Sequence, residues 1–175
     1  MKILRPILIA AAALLTAAPL RAQQPTFTDS LADRMVGRWV LRGSIQGEPT
    51  THDVTAEWVL AHQYVHIHEA SREKTPAGAP QYEAHVYVGW DPQASQYVAV
   101  WLDVFGGISV QSIGRATRSG DAIPFVFRAP DGTPAFDNTF VYDRRADTWE
   151  WRMDNVRNGA LEPFARVTLT RQPGG

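Results

Sequence analysis

From Trp39 onward, apolar and polar residues alternate with a period of two, in short runs broken by turn-forming clusters about every 8 to 12 residues. That pattern predicts ten strands, at 37–45, 52–60, 63–72, 82–91, 96–104, 108–118, 122–128, 135–143, 148–155 and 162–171. The punctuation between them is rich in residues that favour turns: Gln46-Gly47-Glu48-Pro49, the Pro/Gly stretch 75–80, Gly106-Gly107, Pro130-Asp131-Gly132 and Asn158-Gly159. No connection is long enough for a crossover helix, so neighbouring strands are expected to be antiparallel. Ahead of the strands, Asp29 or Ser30 reads as the N-cap of a brief helix running to about Met35, with Leu31 and Met35 on one face and Gly37 as the stop. Such a helix either plugs one end of a barrel or lies on the surface.

Two hairpins can be put in register from sequence. Trp90-Asp91 through Gln96-Tyr97 and Tyr142-Asp143 through Thr148-Trp149 share one spacing of aromatic and Asp around a four-residue loop. In the second, Asp143 then faces Thr148, Tyr142 faces Trp149, Phe140 faces Trp151 and Asn138 faces Met153. The same register in the first puts Ala84, Val86, Val88 and Trp90 beside Asp103, Trp101, Ala99 and Tyr97 on an inner face. The outer face there carries His85 and Tyr87 against Val98, Val100 and Leu102, an apolar strip that would suit a subunit contact. Pairing the first strand with the last closes the sheet and removes its edges. It also carries Arg171 across Trp39, where a cation–π contact is expected. The fold class is therefore all-β: a single up-and-down antiparallel β-barrel of about ten strands with a short N-terminal helix. A barrel of this size has room for one small ligand.

Residues 1–22 combine Lys2 and Arg5 with an apolar run from Pro6 to Leu20 and a small residue, Ala22, before a polar stretch, the pattern of a signal peptide. Thr16 and Pro19 interrupt the run, which is shorter than the roughly 20 apolar residues of a membrane span. The expected product is residues 23–175, one domain, periplasmic or secreted, with no membrane span after cleavage. The sequence contains no cysteine, which closes the lipid-anchored route and leaves stability to packing rather than disulfides. Losing Lys2, Arg5 and Arg21 takes the formal charge from −1 to −4. That balance argues against a nucleic-acid partner, which would call for a basic stripe.

Gly37-Arg38-Trp39, following a short helix at the start of an antiparallel meander, resembles the Gly-x-Trp opening of lipocalins and the wider calycin superfamily. With Gly89-Trp90-Asp91 and Trp101-Leu102-Asp103, the chain resembles more closely a family of exported bacterial lipocalin-like barrels of unknown function. The resemblance covers nearly all of residues 23–175; Gly37 and Trp39 of its opening motif, and Arg171 from the strand closure, are read as structural. Nitrobindin-type barrels of the same superfamily hold haem on a histidine in their C-terminal part. No histidine follows His85 here, so that cofactor is not expected.

Three sets of residues are candidates for chemistry. His66 and His68 share a strand face and His85 lies on the next strand, a spacing that suits zinc, beside the plainer reading of a solvated polar face. Asp103, with Glu57 or Asn138 elsewhere on the wall, would make a buried carboxylate suited to acid/base work, or the inner half of a salt bridge with Arg115. Trp101, Phe140, Tyr142, Trp149 and Trp151 form an aromatic wall that reads as core or as a ligand site. No nucleophile elbow, Walker loop or HExxH helix is present in the sequence. The leading expectation is a binding protein, without a cofactor, that holds a small hydrophobic or amphipathic ligand among the aromatics, with Asp103 and Asn138 orienting it. The alternatives are a barrel enzyme using the histidines or Asp103, and a structural or interaction protein with a filled barrel, for which a homodimer through the apolar outer face at Val98, Val100 and Leu102 is the expected assembly.

Overall fold

The computed structural model describes residues 26–172, and the signal-peptide reading of residues 1–22 lies outside them. The strands are β1 Gly37–Ile45, β2 Glu48–Val59, β3 Tyr64–Ser71, β4 Glu83–Asp91, β5 Gln96–Asp103, β6 Ile113–Ala116, β7 Ala122–Arg128, β8 Pro134–Asp143, β9 Thr148–Arg157 and β10 Ala160–Arg171. Each pairs antiparallel with its chain neighbour, and β1 pairs with β10 to close the barrel. The fold is the all-β, ten-strand antiparallel barrel that the alternation implies.

Turn chemistry sets the register. Gln46 and Gly47 both have positive φ, 51° and 86°, the requirement of a two-residue type I′ turn. Ile45 therefore pairs directly with Glu48, and β2 begins four residues earlier than its alternation suggests. Asn158 and Gly159 repeat the device, extending β9 to Arg157 and β10 back to Ala160. The two four-residue hairpins are built alike. Asp91 Oδ1 accepts from the backbone N–H groups of Gln93 and Ala94, and Asp143 Oδ1 from those of Arg145 and Ala146. Both registers match expectation, including Val86 opposite Trp101 and Phe140 opposite Trp151. The sixth strand is much shorter than expected. Gly106 and Gly107 turn the chain at positive φ, and reciprocal capping between Ser109 and Ser112 winds Val110–Ser112 into a 3₁₀ turn.

The helix α1, Ala32–Met35, plugs one end. Asp29 Oδ1 accepts from the N–H groups of Leu31 and Ala32, both at 2.8 Å, so Asp29 caps the turn. At the other end of the helix, the carbonyls that lack helical partners receive side chains from the barrel. Trp39 Nε1 donates to Met35 O at 2.8 Å, Trp149 Nε1 to Arg34 O at 3.3 Å, and Arg171 Nη1 to Val36 O at 2.9 Å. Phe27 completes the plug, stacked on Trp90 and edge-on to Trp58 and Tyr97. The Gly-x-Trp motif has a mechanical reason. Arg171 lies 4.0 Å over the Trp39 ring, and a Cβ at Gly37, whose φ is +137°, would meet Arg171 Nη1.

Candidate functional site

The barrel is packed at the plugged end and hollow at the other. In the packed half, Trp151 stacks on Phe140 at 4.4 Å, Tyr142 tilts against Trp149 at 5.0 Å, and the void beside Phe140, Trp149 and Trp151 measures only about 10 Å³. The open half encloses a cavity of about 940 Å³, lined by inward residues of the strands and by the β1–β2, β3–β4 and β5–β6 loops. Its mouth carries Phe105 and Ile108, 82% and 83% exposed.

The aromatic wall is therefore divided. Trp101, Asp103 and Asn138 line the cavity. Phe140, Tyr142, Trp149 and Trp151 are packed in the filled half, Trp151 lying beneath Trp101 at 5.6 Å. Parity along a strand fixes the face a residue shows and says nothing about its depth. Asn138, 2% exposed, accepts a short hydrogen bond from Trp151 Nε1 and so ties the floor of the cavity to its wall. The Asp103–Arg115 salt bridge does not form. Asp103 Oδ1 accepts instead from the Phe105 N–H at 2.9 Å, while Arg115, opposite outward-facing Val98, pairs with Asp91 at 3.1 Å. Glu57 is exposed and faces His66 across the outer surface, away from the cavity wall.

The polar heart of the cavity consists of residues that sequence reasoning did not select. Inward residues of β3 are Val65, Ile67, Glu69 and Ser71. Glu69, 1% exposed, receives His52 at 2.5 Å between Nδ1 and Oε1, and His52 Nε2 lies 2.8 Å from Thr50 Oγ1. The second oxygen, Glu69 Oε2, is buried with no hydrogen-bond partner among the described residues. Tyr82 packs its ring on His52 at 5.7 Å, and its hydroxyl accepts from Trp101 Nε1 at 3.1 Å. Burial, and next the charge of Glu69, push the Tyr82 phenol far above its ordinary range, so it stays protonated. A signal for Glu69 was present in the sequence: it continues the inward parity of Val65 and Ile67. His52 was harder to place, since the tight turn that sets its register moves the start of β2.

His66, His68 and His85 lie together on the outside of the barrel. His66 Nε2 is 2.8 Å from His85 Nδ1, and His68 Nε2 is 2.7 Å from Glu83 Oε1. The ligand-type atoms that converge within 4.8 Å belong to His68, Glu83 and His85, so Glu83 stands where the spacing suggested His66. The His68 and His85 rings are stacked at 4.5 Å and 6° from parallel. An imidazole lone pair lies in the ring plane, so a cation in the plane of one stacked ring lies outside that of the other, and shared ligation would require a ring to rotate. Desolvation and then the neighbouring His85 hold His66 below the usual imidazole range. Val98, Val100 and Leu102 are half-buried on the outer surface.

No family model matches the chain, and no curated protein matches it. Fold and site together define a closed ten-strand antiparallel barrel, helix-plugged at one end and hollow at the other, consistent with a lipocalin-like fold.

Proposed function

We propose that this chain is an exported binding protein that holds one small amphipathic molecule in the open half of a lipocalin-like barrel. The observation that carries the reading is the cavity itself. Its volume, about 940 Å³, lies within the roughly 300–1,000 Å³ of small-molecule sites. Trp101, Phe127, Phe136 and Phe164 give it an apolar wall, and Glu69, His52, Tyr82 and Asn138 supply the few placed polar groups such sites use. The N-terminal pattern at residues 1–22 supports export to the periplasm or beyond, and binding in this manner calls for no cofactor.

Trp101 is the cavity's tryptophan, so binding should be visible in its emission. Titration with decanol should give a saturable change in Trp fluorescence that is largely lost in Trp101→Phe. No saturable change, or one left intact in that variant, would refute binding in this cavity. A second reading is favoured by one observation, the order hydroxyl, imidazole, carboxylate in Thr50, His52 and Glu69, which is that of a nucleophile, its base and an orienting acid. Turnover of a p-nitrophenyl ester that disappears in His52→Gln would support it, and equal rates in the two proteins would exclude it.

A further inference from the structure

The unused hydrogen-bonding capacity of the cavity has a definite polarity. Glu69 Oε1 is occupied by His52, while Oε2 is buried and free to accept. Leaving such an oxygen dry and unpaired is destabilising, so a ligand group that donates to it is favoured. Tyr82 supplies the complement. Its oxygen already accepts from Trp101, and its own O–H proton has no acceptor among the described residues. The two groups flank the same His52 ring: Glu69 in its plane, Tyr82 against its face. The polar end of the site therefore offers one acceptor and one donor beside an apolar wall.

We infer that the cavity selects an apolar molecule ending in a hydroxyl group, which donates to Glu69 Oε2 and accepts from the Tyr82 hydroxyl. A hydroxyl does both through a single neutral atom. An ether oxygen offers Glu69 nothing, and an ammonium group cannot accept from Tyr82. This inference rests on the binding role proposed above and specifies the ligand class for that cavity.

The test uses three probes with one alkyl chain: decanol, its methyl ether and decylammonium, titrated calorimetrically into the protein. Decanol should bind about tenfold or more tighter than the ether, as expected when a buried acceptor is satisfied by one and left bare by the other. In Glu69→Gln an amide N–H can replace Oε2, so the preference for decanol should collapse. Tyr82→Phe, which keeps the ring on His52 but removes the donor that either oxygen accepts from, should weaken decanol and the ether severalfold and leave decylammonium unchanged, and it serves if Glu69→Gln does not fold. Equal binding of decanol and ether would overturn the hydroxyl inference while leaving the cavity a binding site. Tightest binding by decylammonium would overturn it in favour of a cation. Binding by none of the three would overturn both the inference and the binding role.

Discussion

Gly37→Ala tests the link between the opening motif and the end of the chain. At φ +137°, a residue with a Cβ sits in a sparsely populated conformation, at a cost of about 1–3 kcal/mol. The new methyl group would also meet Arg171 Nη1 and displace the guanidinium. The contacts then lost are the cation–π interaction with Trp39, about 0.5–1 kcal/mol, and hydrogen bonds to Val36 O and Arg34 O, about 0.5–1.5 kcal/mol each. The part-exposed ion pair with Asp147 adds about 0–1 kcal/mol. A small shift of Arg171 would re-form some of these, so its share is set at about 2 kcal/mol, near the low end of the summed range. Gly37→Ala should therefore cost about 3–5 kcal/mol, and only about 1–3 kcal/mol in an Arg171→Met background. Urea unfolding of the four proteins, followed by Trp emission, measures the coupling directly. Costs that add to within about 0.5 kcal/mol would refute the reasoning that Arg171 dictates the glycine.

Asp137 faces Asp154 across β8 and β9, and burial followed by that charge raises its carboxyl above the ordinary range. Between the unfolded and the raised folded value the folded state binds more protons, so this group favours folding as pH falls and opposes it above the folded value. Asp137→Asn should add about 0.2–1 kcal/mol at neutral pH, a gain that fades below the ordinary carboxylate range; an equal gain at both pH values would refute the repulsion. Asn138→Leu leaves the Trp151 N–H unpaired and should cost about 1–3 kcal/mol, and thermal unfolding at the wild-type temperature would overturn the role given to that bond.

The barrel was legible in the sequence because its determinants are local. Alternation fixed the faces, the Asp-led four-residue loops fixed two registers, and closure brought Arg171 over Trp39. The helix boundary was legible too, through Asp29. The extents of β2 and β6 were less so, since both depend on backbone at positive φ, in one case at Gln46-Gly47 and in the other at Gly106-Gly107. Depth was not legible at all. Phe140 and Asn138 share a face two residues apart, yet one is packed into the filled half and the other lines the cavity, because the plug decides where the packed half ends. Glu69 could have been found by parity. Its pairing with His52 required the β2–β3 register, which no turn in the sequence announces: the connection at Leu60–His62 runs through three consecutive non-glycine residues at positive φ.

Phe27 is packed into the plug, and at the far end of the described chain Gln172 bonds back to Arg38 O and Trp39 O. Both ends of the described residues thus lie on the side away from the mouth. A reporter domain or an immobilising tether joined at residue 26 or at residue 172 would start from the plugged side, so the barrel can be mounted on a sensor surface in two orientations of the chain with its opening presented to solution.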